Sequence, residues 1–250
     1  MKSSHTRTTH TLFQYLIFSL SLILIILLLI QASTRFLPPS TLKTHNPNLQ
    51  KASPTVILDA GHGGEDGGAV GVTGLVEKDL NLDLAGRLCA LLEADGVRVI
   101  MTRTEDVLLY DRGVDYQGRK KVLDLAARQA IGDAHPDAIF ISLHANTFPE
   151  EIYHGLQVWY SPNSEQSVLL AKSIRDSVVG TLQPDNHRQS KQAGSNIFLL
   201  HKLQIPAVLV ECGFLSNPAE CNDLEDPAYR DRLAHALYKG LCAYYACDAQ

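Results

Sequence analysis

Short apolar segments rich in β-branched residues alternate with longer segments of helical periodicity from residue 55 onward, and this alternation constrains the fold most. Strands are predicted at Thr55–Asp59, Val97–Met101, Ala138–Leu143, Leu156–Tyr160 and Ala207–Val210. Helices are predicted from about Leu80 to Gly96 and at 119–132, 164–182 and 227–245. This order is typical of an α/β domain with a largely parallel sheet flanked by helices. Ligands of such domains collect beyond the carboxyl ends of the strands.

The N-terminal segment predicts a membrane anchor followed by a linker. Residues 12–30 form a run of 19 residues without a charge. As a helix the run would span about 28 Å, close to the ~30 Å hydrocarbon core of a bilayer. Lys2 and Arg7 precede it, which predicts a cytoplasmic N-terminus at 1–11 and an extracytoplasmic body. A cleaved signal peptide is the alternative, but its apolar region is usually about 7–15 residues long.

We therefore expect one N-terminal transmembrane signal anchor at 12–30, a proline-rich linker at 31–53 and a single folded domain at 54–250. The predicted location of that domain is the extracytoplasmic side of the membrane. A nearby small-residue stretch, Ala32-Ser33, is a poor cleavage site.

The charge balance argues against a nucleic-acid partner. The chain has 22 Lys and Arg against 27 Asp and Glu. Four of the basic residues and none of the acidic ones lie in residues 1–50, which leaves 18 basic and 27 acidic residues in 51–250. A nucleic-acid-binding domain shows a basic face instead. The five cysteines include no CxxC pair, so they predict no zinc ribbon, and Cys89 is expected in the core.

Four side chains with metal-binding or acid–base chemistry lie near the predicted strand ends or the following helix start. His62 lies in a glycine-rich loop, His144 follows one strand directly, Glu211 continues another strand, and Glu77 begins a helix. Two imidazoles and a carboxylate suit a catalytic Zn²⁺, which leaves one position for water. A further carboxylate is then free to act as general base on that water. The pattern predicts a metal-dependent hydrolase.

Each of these residues also has a structural interpretation. His62 could fill a turn, His144 could be a core histidine, and Glu77 could complement a helix dipole. Glu211 is harder to explain in this way, because a carboxylate in a buried strand costs several kcal/mol unless it is paired or metal-bound. The sequence has no HExxH, P-loop or GxSxG motif. A Cys212 nucleophile is a further alternative, but it leaves the two histidines and Glu77 without a joint role.

Four blocks of sequence resemble the zinc-dependent N-acetylmuramoyl-L-alanine amidases of the amidase-3 family, over about Thr55 to Tyr245. The blocks are Leu58–Gly64, Glu77–Leu82, Ile141–Asn146 and Pro206–Asn217. The resemblance implies that one Zn²⁺ per domain is held by His62, Glu77 and His144, and that Glu211 is the catalytic carboxylate. It implies hydrolysis of the amide bond between N-acetylmuramic acid and L-alanine in peptidoglycan.

Three more residues are candidates for substrate-binding or support roles. Arg103 and Asn146 fall on family positions. Arg188 could help to stabilise the oxyanion of the tetrahedral intermediate, or it could form a solvated basic patch with Lys191. The sequence departs from the family pattern at Ala60, where proline is usual, and we expect at most a modest effect on the ligand loop.

Within the family, the layout is most similar to the spore-cortex amidases of the CwlD type. The features that indicate this are one short N-terminal anchor, a lone catalytic domain and the Gly118–Lys121 segment before a helix. Membership would imply a membrane-anchored catalytic domain in the cell wall or the spore cortex space, with roles in cortex maturation, muramic lactam formation and germination. Only Ala145–His154 separate His144 from the next strand, so we expect an open site without the inhibitory helix of septal amidases.

The expected partners are peptidoglycan as substrate, the membrane through the N-terminal anchor, and an activating protein whose existence the sequence leaves open. Two other functions remain in view at this point. The first is a zinc peptidase that cuts within the stem peptide, and the second is an anchored wall-binding module whose metal is structural.

Overall fold

The computed structural model describes residues 55–248, apart from residue 112 and residues 114–116, and it does not describe the side chains of residues 247 and 248. The predicted anchor at 12–30 and the linker at 31–53 lie outside the described residues and stay predictions. Among the helices that are described, none combines the length and apolar character needed to cross a bilayer.

The strands and helices of the described part follow the predicted alternation. The strands are β1 (Thr55–Ala60), β2 (Arg98–Met101), β3 (Ala138–Asn146), β4 (Gln157–Tyr160), β5 (Lys191–Gln192) and β6 (Ala207–Phe214). The helices are α1 (Glu77–Ala94), α2 (Lys120–Asp133), α3 (Gln166–Thr181), α4 (Phe198–Lys202), α5 (Pro218–Glu225) and α6 (Pro227–Asp248). The short elements β5 and α4 have too few residues to produce a periodic signal and were not predicted.

The strands form one six-stranded sheet in the order β2-β1-β3-β6-β4-β5. β1 pairs in parallel with β2 and β3, and β3 pairs in parallel with β6. β4 runs antiparallel to β6 and pairs in parallel with β5. The prediction of a largely parallel sheet flanked by helices is therefore confirmed, and among the described strands β4 and β5 run opposite to the other four.

Each face of the sheet has its own apolar core. On one face, alternate residues of the central strands pack against α1, α3 and α6; examples are Val56, Ile141 and Val210. On the other face, Ile57, Phe140 and Ala207 pack against residues of α2 and of the 193–205 segment. This alternation matters for function, because the side chains of His144 and Glu211 continue the second face beyond its apolar part.

The end of β6 leads into α5 through a side-chain cap. The Asn217 side chain accepts hydrogen bonds from the N–H groups of Ala219 and Glu220, and Pro218 occupies the first helical turn. An asparagine followed by proline is a sequence pattern typical of helix N-termini, and a glutamate three residues after the asparagine is the spacing of a capping box. The Asn217 contacts follow this pattern. Glu220, however, does not complete a capping box: its carboxylate accepts the N–H groups of Gly155 and Phe214, each at 2.8 Å. It therefore ties the β3–β4 connection to the end of β6.

Candidate metal centre and active site

The side chains of His62, Glu77 and His144 converge at the carboxyl edge of the sheet. Glu77 Oε1 lies 3.2 Å from His62 Nε2 and 2.9 Å from His144 Nδ1. One ligand atom from each residue can be chosen so that all three lie within 4.8 Å of one another. His62 and Glu77 are 15 positions apart in the sequence, and Glu77 and His144 are 67 positions apart. The fold brings the three side chains together.

His62 is held by its backbone as well as by its side chain. It has a left-handed conformation with φ of 62°, which is uncommon for a residue other than glycine. The Arg128 guanidinium, itself buried, donates to the carbonyl oxygen of His62 at 2.7 Å and to that of Ala60 at 2.8 Å. These bonds fix the turn that follows β1, and so they fix the direction in which the imidazole projects.

Gly61 leaves the space that the His144 ring occupies. A Cβ atom at position 61 would overlap the ring atoms Cε1 and Nε2 of His144. The Gly61 N–H donates to the Leu143 carbonyl at 3.0 Å, so the loop stays paired with β3 up to the residue before His144. Glycine is required at position 61 because the His144 ring lies so close to the backbone there. A side chain at this position would displace the imidazole.

Glu77 is fully engaged by hydrogen-bond donors. Its Oε1 accepts the N–H of Ala145 at 3.1 Å, and its Oε2 accepts the N–H of Ala69 at 2.8 Å. Burial by itself would raise the pKa of Glu77, but the hydrogen bonds and charges of His144 and His62 outweigh it, and the pKa is well below its usual value. The Glu77 side chain is therefore a carboxylate held in one orientation.

Asn81 supports Glu77 and had no role assigned from the sequence. It is fully buried one helical turn after Glu77, and its Nδ2 donates to Glu77 Oε1 at 3.4 Å and to the Gly61 carbonyl at 3.2 Å. The signal that could have found it is the i,i+4 spacing from Glu77 on the same helix face.

Asp66 lies next to Nδ1 of His62, on the other side of the ring from Glu77. Its Oδ1 lies 3.0 Å from His62 Nδ1, which is an ion-pair distance. Lys121 Nζ lies 3.5 Å from the other Asp66 oxygen, and Lys120 Nζ lies 2.7 Å from Glu65. The lysines of the Gly118–Lys121 segment therefore hold the loop that carries His62 and Asp66.

A buried polar network beneath the site escaped the sequence interpretation. Asp59 accepts hydrogen bonds from Thr102, Ser142 and Arg128 at 2.8, 2.6 and 2.5 Å. Burial raises the pKa of Asp59, but the charge of Arg128 and these hydrogen bonds outweigh that effect, and the pKa is lowered. Arg128 also pairs with Asp124 at 2.8 Å. The network fills the space between β1 and α2 and holds the His62 loop from below.

Glu211 faces His144 across two neighbouring strands. The two residues are paired in the parallel register of β3 and β6. Glu211 Oε2 is buried and has no hydrogen-bond partner among the described residues. Burial raises the pKa of Glu211 to about 7; the neighbouring imidazoles lower it in part, and Glu77 raises it further. A buried carboxylate without a donor is costly to the fold, which points to a functional role.

The three support candidates have different surroundings. Arg103 is buried and donates to the carbonyl oxygens of Ala60, Gly61 and Lys78, at 2.9, 3.1 and 2.7 Å. It therefore joins the ligand loop to the start of α1. Together with Arg128 it also anchors position 60, where the family pattern has proline. Its contacts are those of a support residue.

Asn146 and Arg188 are not brought into the His62–Glu77–His144 cluster. The Asn146 side chain accepts the N–H of Thr147 at 2.8 Å, within its own turn. Arg188 Nε donates to the His154 carbonyl at 2.9 Å, and the guanidinium lies over the rings of Tyr153 and Phe214. These contacts place Arg188, from the segment between α3 and β5, against the loop that follows β3 and against the end of β6.

Two further expectations can be compared with the fold. Cys212 is fully buried, and burial raises the pKa of its thiol far above the usual value, which excludes it as a nucleophile in this arrangement. Cys89 is half-buried and packs against the core, as expected. No helix occurs between β3 and β4 in the described structure, which agrees with the expected open site.

Two imidazoles and a carboxylate oxygen in this arrangement fit a Zn²⁺ ion. They are the ligand types of catalytic zinc sites, and three protein ligands leave one coordination position for water or substrate. A small cleft of about 80 Å³ opens at this point and is lined by residues of the centre and of α2. This volume holds only the reacting group of a substrate, and the rest of a larger substrate molecule would lie outside the cleft.

Comparison with known proteins gives a consistent result. Residues 56–243 match the family model described as N-acetylmuramoyl-L-alanine amidase. The chain is 36% identical over 190 residues to the germination-specific N-acetylmuramoyl-L-alanine amidase of Bacillus subtilis, which covers 76% of this chain and 79% of that protein.

Solved structures of the same family have a similar fold. The CwlD amidase from Clostridioides difficile, determined in complex with the GerS lipoprotein, superimposes with a TM-score of 0.73 at 36% identity, over 78% of this chain and 100% of that one. The N-acetylmuramoyl-L-alanine amidase AmiC2 of Nostoc punctiforme gives a TM-score of 0.64 at 30% identity, over 77% and 97% of the two chains. The resemblance seen in the sequence, including that to the CwlD type, is confirmed.

Proposed function

Because the chain belongs to the amidase-3 family of N-acetylmuramoyl-L-alanine amidases and is a peptidoglycan amidase, we propose that it works with one Zn²⁺ held by His62, Glu77 and His144. The scissile bond is the amide that joins the lactyl group of N-acetylmuramic acid to L-alanine. A bound Zn²⁺ supplies Lewis-acid chemistry, polarising a carbonyl and lowering the pKa of a water molecule.

Glu211 is the proton carrier in this proposal. Its carboxylate accepts a proton from the attacking water and then delivers that proton to the nitrogen of the leaving L-alanine amine. A pKa near neutrality suits both transfers, because the group must take a proton and release it again at the working pH. Its register position opposite His144 keeps it beside the reacting carbonyl.

The other residues of the site orient the side chains that would hold the metal. Asp66 supports the His62 imidazole from behind, which leaves Nε2 directed at the centre. Ala145 and Ala69 hold the Glu77 carboxylate through their N–H groups, and Arg103 and Arg128 hold the backbone of the His62 loop. The function is carried by one observation above all: His62 Nε2 and His144 Nδ1 both approach the same oxygen of Glu77.

The test uses the full chain, purified in detergent, on intact peptidoglycan with and without a zinc chelator. The expected result is release of stem peptides with a free L-alanine amine, lost with the chelator and restored by zinc. An intact lactyl carboxylate on the sugar, seen by mass spectrometry, identifies the bond. Products cut within the stem peptide would mean a peptidase, and unchanged release in the chelator would contradict zinc dependence.

The cellular setting is also a proposal. The similarity to a germination-specific amidase supports a role in spore cortex maturation, with muramic lactam formation and germination downstream. The uncharged run at 12–30 supports anchoring of the domain on the extracytoplasmic side of the membrane. The relative solved with a lipoprotein supports an activating protein partner for this chain as well. Deletion of the gene would be expected to leave spores with cortex that contains stem peptides at every muramic acid.

A further inference from the structure

Exposed apolar side chains gather on two loops at the carboxyl edge of the sheet. Val70 and Val72 lie on the glycine-rich loop between β1 and α1, and Phe148, Ile152 and Tyr153 lie on the loop after β3. Their exposed fractions run from 38% for Tyr153 to 77% for Ile152. Exposed apolar side chains next to an active site are available for contacts with a bound molecule.

Two hydrogen bonds and a contact between two rings tie down the loop after β3. The Phe148 N–H donates to Ser216 Oγ at 3.0 Å, and Asn217 Nδ2 donates to the Glu151 carbonyl at 2.7 Å. The Phe148 and Tyr153 rings meet edge to face with centroids 4.7 Å apart. A ring held in this way loses little conformational entropy when it binds a ligand.

Arg188 lies over the rings of Phe214 and Tyr153. Its Cζ atom is 4.7 Å from the centroid of Phe214 and 5.7 Å from that of Tyr153. No carboxylate of the described residues lies within ion-pair distance of it. Both oxygens of the neighbouring Glu220 accept backbone N–H groups. Arg188 uses Nε for the His154 carbonyl, so its outer edge is free to bind a carboxylate in a bidentate manner.

The distance between the Phe214 end of β6 and Glu211 matches the length of a short peptide. Phe214, whose ring lies under Arg188, follows Glu211 by three residues in the same strand. A regular strand would separate the two by about 10 Å, and the bulge after Glu211 shortens that distance. An extended peptide covers the same distance in about three residues. A carboxylate on the second or third residue of a stem peptide therefore reaches Arg188 while its first amide bond lies beside Glu211.

We propose that Arg188, with Phe148, Tyr153 and Phe214, forms a subsite for a free carboxylate of the stem peptide. The proposal rests on the amidase function argued above and adds a specificity to it: the enzyme discriminates an acidic stem peptide from its amidated form. Arg188 is then a binding residue on the peptide side of the scissile bond, and it does not stabilise the oxyanion.

The experiment uses two synthetic muramoyl tripeptides that differ only in a carboxylate or a carboxamide on the second residue. The release of L-alanine amine gives kcat/KM for each with the full chain. We expect the wild type to prefer the carboxylate by about 10- to 100-fold, the range for a hydrogen-bonded charge pair. Arg188→Met keeps the aliphatic stem on the rings and should abolish the preference by slowing the carboxylate substrate alone.

Two variants control the result. Lys191→Met removes another cation that lies over an aromatic ring, that of Trp159, and should leave the preference unchanged. Arg188→Lys keeps the charge without the bidentate fork and should retain part of the preference. The unfolding temperature of each variant shows whether the loop contacts survive.

Three outcomes would overturn the subsite. They are a wild type without preference, an Arg188→Met variant that slows both substrates equally, and a preference that survives in Arg188→Met. In the last case, a change of self-association in Phe148→Ser would make this face a surface for protein docking instead. If the wild type releases no amine from either tripeptide or from peptidoglycan, the amidase function itself fails, which is a separate result.

Discussion

His144 and Glu211 occupy directly paired positions on the neighbouring parallel strands β3 and β6. The register begins at Phe140 and Ala207 and runs without a shift to this pair; the irregularity comes only after it, between His144 and Asn146. A slip of one residue would turn one of the two side chains to the opposite face of the sheet. Strand pairing therefore sets the distance between the candidate metal centre and its acid–base group.

Substitution of Glu211 by glutamine should separate metal binding from catalysis. The variant keeps the shape of the side chain but cannot accept the proton of the attacking water, and we expect kcat to fall by about 10²- to 10⁴-fold. Zinc content, measured by atomic absorption, should match that of the wild type. His144→Ala should lose both zinc and activity. A Glu211→Gln enzyme as active as the wild type would exclude Glu211 as the base.

The same substitution should stabilise the metal-free protein at alkaline pH. The pKa of Glu211 is raised to about 7 in the fold, against about 4.3 in an unfolded chain. The fold thus favours the protonated form, and the cost of ionisation is absent below pH 4, grows between the two values and is complete above pH 7. In urea titrations with a chelator, Glu211→Gln should gain roughly 1–3 kcal/mol at pH 8 and little at pH 4.5. Equal gains at the two pH values would argue against this linkage.

Asp66→Asn should weaken zinc binding without removing a ligand. Loss of the carboxylate behind His62 Nδ1 frees the orientation of the imidazole, and such substitutions typically cost about 10- to 100-fold in metal affinity. Competition with a chromophoric chelator measures the change. Glu65→Gln is the matched control, because it neutralises the neighbouring carboxylate of the same loop, whose ion pair with Lys120 is half exposed. Equal effects of the two variants would mean a general loosening of the loop.

A pair of glycine substitutions tests the close approach to His144. The Cβ of Gly61→Ala would overlap the His144 ring, so we expect displacement of the imidazole, loss of stability of about 1–3 kcal/mol and weaker zinc binding. Gly86 lies in an exposed turn of α1 with no atom near the added Cβ. Gly86→Ala should stabilise the fold by up to about 1 kcal/mol and retain full activity. Thermal unfolding and amine release measure both variants.

The candidate site was largely predictable because its residues adjoin strong local signals. His144 and Glu211 each continue an apolar strand, and His62 lies in the loop after another, so the fold class alone placed them at one edge of a sheet. The assignment of Glu77 and Glu211 to different roles came from the family resemblance. Arg188 was less well predicted: its neighbours Tyr153 and Phe214 are 35 and 26 residues away in the sequence.

The sequence by itself determined the α/β class, the extent of the long elements and the chemistry available at the strand ends, because periodicity and residue type are local properties. Tertiary structure decided what depends on contacts between distant segments. It reversed β4, buried Arg128 beneath the His62 loop and placed Asp66 behind His62. It also left Glu211 Oε2 buried without a donor. Burial and hydrogen-bond partners arise only when the chain is packed, and these two quantities set the charge and orientation of the groups that react.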